Sequence, residues 1–542
     1  MKTAVLLLAL LGVLAAPPGP AAATRTAIPS NPDDRTILHV LNRIGFGARP
    51  GDIDRVRQAG LAAYIEQQLR PDGVPDSRLD GRLAQLTTLS MSAREVTEQF
   101  FLPARQAQQA LKQQQPADPA MSAAGGSPEQ PAVSPELRAA RQNEQRVMTE
   151  LTQARLLRAL SSERQLNEVL VDFWFNHFNV FAGKGQVRQY LPEYERDVIR
   201  PHVLGSFREL LGAVAHSPAM LFYLDNWQSS APNVQPARAQ ARPRARLQPL
   251  LQPPPQRQSR GLNENYGREL MELHTLGVDA GYTQKDVVEV ARALTGWTID
   301  RPQQGGAFVF RAAMHDTGEK IILGQRFPSG HGEDEGERVL DLLAKHPATG
   351  HHIAFKLAQR FVADEPPPAL VDRAAKVFAD TSGDIRQVVR AVVTSPEFFG
   401  ASAYRAKVKT PLEFLLSAAR ATGGTVNNAQ PIAQLLRAEL GMPLYGCQPP
   451  TGYSNTADAW VNTGALLSRM NVAVQMTGGR ARWIRIDLGS LAPDTSADSR
   501  GQLVGQMLAG DVSDSTRQVL AKAQDPTHLV ALVLGSPEFQ RR

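Results

Sequence analysis

Residues 281–297 read GYTQKDVVEVARALTGW, and this stretch carries both ends of an α-helix. Thr283 stands where an N-cap belongs, with Asp286 three positions on, as in a capping box. The apolar residues over 283–295 recur with 3.6-type spacing, and Gly296 breaks the pattern ahead of Trp297. On this helix Asp286, Glu289 and Arg292 project at i, i+3 and i+6. The same spacing recurs upstream over 33–44, 50–60, 61–69, 143–161, 163–178, 190–204 and 206–216. Downstream it returns over 336–345, 349–363, 368–378, 385–394, 411–422, 432–440, 459–470, 499–508 and 526–534. Strand signals are sparse. In AFVFRAAMHDTGEKIILG, residues 308–312 and 320–323 flank a turn at 316–318 and predict one hairpin. The expected fold is mainly α: a large multi-helix body over 33–542, with one small β-hairpin insertion.

Two stretches break the pattern. Residues 106–136 and 229–260 are rich in Pro, Gln and Ala and nearly free of large apolar side chains. Such segments bury too little surface to offset their ordering entropy, so both are expected to be disordered insertions. The second holds Arg238, Arg242, Arg244, Arg246, Arg257 and Arg260 and no acid. That run suits phosphate, an acidic polymer or anionic lipid heads, although such runs are more often plain solvated insertions. At the N-terminus, Lys2, the apolar run 4–16 and small residues up to Ala23 have the layout of a secretory signal. No later segment is long and apolar enough to span a bilayer. An exported, periplasmic protein beginning after Ala23 is expected.

Composition narrows the function classes. The chain has 542 residues, 42% hydrophobic and 21% charged, and a net charge of +6, too small for its length to imply nucleic-acid binding. Cys447 is the only cysteine, which rules out an intrachain disulfide or a Cys-based zinc site. The sequence has no nucleotide-binding loop and no haem attachment motif. Three helices run into Ser-Pro, at Ser217-Pro218, Ser395-Pro396 and Ser536-Pro537, where serine caps and proline starts the next helix.

The densest chemistry lies just before the opening stretch, in NENYGRELMELHTLG at 263–277. At 100° per residue, Glu264, Arg268 and Glu272 share one face, flanked by Asn265 and Glu269. His274 falls about 160° from Glu272, stacked near Leu270, so it cannot join these acids on one metal. Two readings stay open: a helix laced by weak ion pairs, or a buried polar face whose carboxylates need arginines or a metal. The aromatic neighbours FWFNHFNVF (173–181) and ARALTGW favour burial, with Arg268 as the first partner of Glu264 and Glu272.

From residue 263 to Trp297 the sequence closely resembles the central signature of the bacterial "domain of unknown function 1800" family. LNRIGFGARPGDID (41–54), FWFNHFNVF, SPAMLFYLDN (217–226), MHDTGEKIILG (314–324), HPATGHHIAFKL (346–357) and PPTGYSNTADAW (449–460) are similar to its blocks, in order. The family implies no established reaction. It does imply a candidate partner, since members are often encoded beside an exported family similar to sulfatases and alkaline phosphatases, "domain of unknown function 1501". His274 stands where many relatives carry phenylalanine, which speaks against a catalytic role for it.

Two functions follow. One is an exported binding or assembly protein, serving such a partner or an envelope polymer. Its network would comprise Asn176, Asn263, Asn265, Arg268, Asp286, Arg292, Trp297, His315 and Asp316. The alternative is a hydrolase-like enzyme with a carboxylate/His site of His177, Glu264, Glu269 and Glu272, for which a divalent metal would be a natural cofactor. Asp316-Thr317-Gly318 spells an aspartic-protease triplet but stands alone among polar residues. The acids of HGEDEGE (331–337) suit a helix N-terminus better than a calcium loop. N-terminal sequencing of the protein from its native cell should return Thr24 as the first residue; finding Met1 would refute the signal-peptide reading.

Overall fold

A computed structural model of the chain describes residues 27–114, 134–231 and 261–542, apart from Asn427 and Arg482. Residues 1–26 and most of the two low-complexity stretches lie outside it. Of 106–136, residues 106–114 continue the helix Leu102–Gln114, and 135–136 open the next one. The described residues are mainly helical, with three small antiparallel two-stranded sheets. One hydrophobic core runs from Ile37 to Phe539, and a satellite cluster joins Val96, Phe100, Phe101 and Val147.

Local signals place most helices where the spacing puts them. The capping box at Thr283 is formed, with Thr283 N–H donating to Asp286 Oδ2 at 2.8 Å, and the helix Gln284–Ala293 follows. Ser217, Ser395 and Ser536 each cap the helix begun by the next proline. The predicted helix over 190–204 is instead broken into three. Val187–Glu193 runs into a π-helical turn, Tyr194–Ile199, and then a 3₁₀ turn, Arg200–His202, where Pro201 lacks the N–H a regular helix needs.

The β segments pair differently from the sequence pattern. Trp297–Ile299 pairs with Phe308–Phe310, and Lys320–Ile322 pairs with Gln325–Phe327. The turn expected at 316–318 is an anchored crossing: Asp316 N–H donates to Thr295 Oγ1 (2.8 Å), and Arg292 grips the Asp316 carboxylate. The real turn is Leu323-Gly324, both at positive φ, as a two-residue hairpin requires.

Long-range anchors close the body. In the first helix, Asp34–Arg43, His39 Nε2 reaches the carbonyl of Phe398 (2.9 Å), and Arg43 donates to the carbonyls of Phe361 (3.2 Å) and Ala403. Arg420 donates to the carbonyls of Gly47 (2.7 Å) and Leu160 (2.8 Å). The two helices of the signature cross at Gly267, where a Cβ would stand 2.8 Å from the carbonyl of Val287 and 3.1 Å from the Ala291 nitrogen. Gly267→Ala gains about 1 kcal/mol of helix propensity but overpacks a crossing lined by main chain, at about 1–3 kcal/mol. Urea unfolding should therefore show a net loss, and a stabilised variant would mean that the helices separate freely.

Candidate functional site

The acid-rich segment is a helix in two parts, Glu264–Glu269 followed by a π-helical turn, Leu270–Thr275. Asn263 caps it, accepting from Tyr266 N–H (3.2 Å) and donating to the carbonyl of Leu224 (2.7 Å). Its inner side buries Tyr266, Leu270, Met271 and His274. Its acid side is not buried: Glu264 and Asn265 are exposed, and Arg268, Glu269 and Glu272 are half-buried. This overturns the expected ion-paired network. Glu264 accepts from Gln284 (2.8 Å), Arg268 donates to the same side chain (2.5 Å), and Glu272 accepts from the Tyr282 hydroxyl (3.2 Å). The aromatic neighbours cover the opposite side of the helix, and Glu264 and Glu272 meet the neutral side chains of Gln284 and Tyr282 instead of arginines.

Glu269 differs from the others. It has no hydrogen bond or ion pair among the described residues. Partial burial and the nearby Glu272 lift its carboxyl above the usual range, against the pull of Arg268. A carboxyl held this way is suited to proton transfer.

His177 does not meet it. It ends the helix Gln165–His177, buried edge-on to Trp174 and Phe178, with Nε2 3.2 Å from the carbonyl of His274. Its ring neighbours are His274 and His352, at 6.4 and 6.1 Å between centroids. No contact joins it to Glu264, Glu269 or Glu272, so the proposed carboxylate/His group is not assembled. Burial, followed by the charge of Lys356, holds His177 well below the usual histidine range; burial holds His274 near 3, and burial with Lys356 holds His352 near 4. All three are neutral imidazoles at pH 7. Among the described residues, no group of three or more His, Cys, Asp or Glu side chains is arranged to hold a metal ion.

The asparagines of FWFNHFNVF fasten a loop. Asn176 accepts from Tyr453 N–H and donates to its carbonyl, both at 2.7 Å. Asn179 donates to the carbonyls of Cys447 (3.0 Å) and Pro449 (2.8 Å), and Tyr223 donates to that of Gln448 (2.6 Å). Gly452, at φ 72°, passes so close that a Cβ would lie 2.3 Å from the Asn176 carbonyl oxygen. FWFNHFNVF and PPTGYSNTADAW thereby line one small cavity of about 30 Å³, room for only a few water molecules.

Beside the cavity lies an ion network that the spacing rules missed. Arg155 meets Asp172 (2.7 Å) and Glu195 (3.2 Å); Arg200 meets Glu195 (2.8 Å) and Glu168 (3.0 Å); the Tyr445 hydroxyl donates to Glu195 (2.6 Å). Burial alone would raise the Glu195 carboxyl, but Arg200, Arg155 and Arg158 outweigh it and hold it at about 2. Glu195 and Arg200 are five residues apart, a pairing that a π turn permits and an i, i+4 template overlooks.

The remaining network residues are structural partners. Arg292 holds Asp316 with two bonds (2.9 and 3.0 Å) and Glu289 with a third (2.7 Å). Asp286 accepts from Leu323 N–H (2.7 Å), and buried His315 packs against Thr295 and the Lys320–Glu335 pair. Trp297 stacks on His216 at 4.6 Å.

One further surface escaped the sequence reading. Of eight exposed large apolar side chains among the described residues, five lie on or beside one helix, Thr463–Thr477: Val461, Leu466, Leu467, Met470 and Val474. The 459–470 spacing marked a helix there but could not tell which of its apolar sides was covered.

The sequence model of a family described as "Protein of unknown function (DUF1800)" matches residues 39–541. No curated protein matches the chain, and no solved structure does.

Arg268→Ala should cost less than about 1 kcal/mol, because its partner is a glutamine at the surface. Glu195→Ala should cost about 3–5 kcal/mol, because it removes the buried carboxylate that Arg155 and Arg200 share and leaves the network with uncompensated positive charge. Denaturant melts that reverse this order would place the structural charge in the wrong helix. The histidines add a pH dependence. Their folded values lie below the unfolded 6.5, so the unfolded chain binds more protons and stability falls as pH drops beneath about 6.5. For His274 the loss is about 2 kcal/mol between pH 6.5 and 5. His274→Phe, which keeps an aromatic ring in the same apolar setting, should fold and flatten that slope. A slope unchanged from wild type would show that His274 is not the group being titrated.

Proposed function

The chain belongs to the family of unknown function numbered 1800, and on its structure we propose an exported binding or assembly protein rather than an enzyme. The observation that carries this is the apolar stripe on Thr463–Thr477. An exposed apolar cluster on one element marks an interaction surface far more often than scattered exposed leucines do. The helix has no acidic residue, and its single arginine, Arg469, is buried. Depletion of charge is what the core of a protein–protein interface requires. The occupant proposed is a partner protein: an exported member of the sulfatase- and phosphatase-like "domain of unknown function 1501" family, met in the periplasm. The paired state of Arg155, Arg200 and Arg292 adds support, because those carboxylates are committed to holding the fold.

The half-buried, unpaired carboxyl of Glu269 favours a second reading, an exported hydrolase in which Glu269 moves a proton and Glu272 tunes it. Here His177 has no part.

Co-expression with the exported partner decides between them. Wild-type chain should co-elute with it, and Leu467→Glu/Val474→Glu should lose it at an unchanged melting temperature. A double variant that binds as well as wild type removes the stripe from the account. Ester hydrolysis by the pure protein, abolished in Glu269→Gln with folding intact, would put the enzyme reading in its place.

A further inference from the structure

The helices Glu333–Lys345, Pro347–Phe361 and Pro368–Asp380 follow one another with little chain between them. His346 alone separates the first two. It caps the second, its Nδ1 accepting from Ala348 N–H at 3.2 Å, so the neutral ring carries its proton on Nε2, a free donor. Where these helices approach, many of the facing side chains are small: Ala344, Ala348, Gly350, Ala375 and Ala379. At Gly350 the fit is close, since a Cβ there would stand 3.0 Å from the Phe378 ring. Elsewhere the alanines leave a cleft unfilled. It holds about 570 Å³ of space, walled mainly by carbon, with Pro347 and Phe378 adding to the lining. That volume lies in the range of small-molecule sites.

A second hollow, of about 420 Å³, shares Lys345, His346 and Pro347 with the first. Its wall is positive. Arg338 lies 4.7 Å over the Phe327 ring, and among the described residues neither Arg338 nor Lys345 meets a carboxylate. Both side chains are exposed. The acid in that wall, Asp341, is already held by Arg208 at 2.6 Å. The acid of the apolar cleft, Asp372, is itself exposed and faces His351 at 3.8 Å. Two uncompensated cations and an imidazole donor thus stand beside a cleft that is otherwise apolar.

We propose that these joined hollows bind a single-chain amphiphile with a phosphate head. The head sits among Arg338, Lys345 and His346, and the chain lies against Ala348, Ala375, Phe378 and Ala379. A phosphate monoester carries about two negative charges at pH 7, which two cations match. Arginine and imidazole add directed donors to its oxygens, and the chain gains by leaving water for an apolar wall. The site shares no residue with the stripe on Thr463–Thr477 and does not rest on the reading of that surface.

Calorimetric titration of the full chain with octyl phosphate, kept below its micelle concentration, tests this against inorganic phosphate and 1-octanol. Octyl phosphate should bind at one saturable site, and each of the other two about tenfold or more weakly. Two variants separate the ends. Arg338→Gln/Lys345→Gln changes exposed, unpaired side chains, so it should melt as wild type does while its affinity for octyl phosphate falls toward that for octanol. Ala379→Trp, also at an exposed position, fills the apolar end and should bring octyl phosphate down toward the level of inorganic phosphate. The proposal falls if octyl phosphate shows no saturable binding, or binds no more tightly than inorganic phosphate or octanol. It falls equally if either folded variant binds octyl phosphate as tightly as wild type.

Discussion

The carboxylate of Glu195 is the point on which the middle of the molecule hangs. It is buried, yet it stays ionised because Arg155, Arg200 and the Tyr445 hydroxyl converge on it. Each partner comes from a different element: Arg155 from the long helix Pro135–Ser161, Arg200 from the 3₁₀ turn, Tyr445 from the loop beside the cavity. Asp172 and Glu168, on Gln165–His177, take up the remaining donors. A buried charge of this kind adds little net stability over an apolar filling, but it tolerates very few arrangements. It fixes the direction of Gln165–His177, and so decides where Asn176, His177 and Asn179 point.

Two of the π turns bear on function. Thr97–Phe101 packs the satellite cluster, Tyr194–Ile199 carries Glu195, and Leu270–Thr275 ends the acid-rich helix. A π turn inserts one residue into the helical register, and in Leu270–Thr275 the Leu276 N–H reaches back to Met271, five residues away. Side chains beyond the insertion rotate away from where a 3.6-residue wheel puts them.

That register shift explains much of what could and could not be read from the sequence. Helices with ordinary caps were legible: Thr283, Ser217, Ser395 and Ser536 announce their starts, and the structure has them there. The family was legible because its blocks are quoted almost intact along the chain. The burial of His274 was legible too, since it depends on the apolar side of one turn. The fate of the acids was not. Spacing says which residues share a face but not what lies opposite, and here Gln284 and Tyr282 stand opposite, not arginines. Nor does spacing reveal a pair such as Arg360 and Glu413, more than fifty positions apart, or a hairpin whose middle is pinned by Thr295 and Arg292.

The first helix carries a consequence for the order in which the fold can be completed. His39 and Arg43 find their acceptors on Phe361, Phe398 and Ala403, between 318 and 360 positions further along the chain. Arg420 returns from 373 positions away to fasten Gly47. During vectorial synthesis these N-terminal groups stay without partners until most of the protein has been made. Loop-closure entropy must be met before any of these contacts forms. The packing of the first helix is therefore among the last parts of the body that chain growth alone can complete, because its acceptors lie 318 to 360 positions downstream.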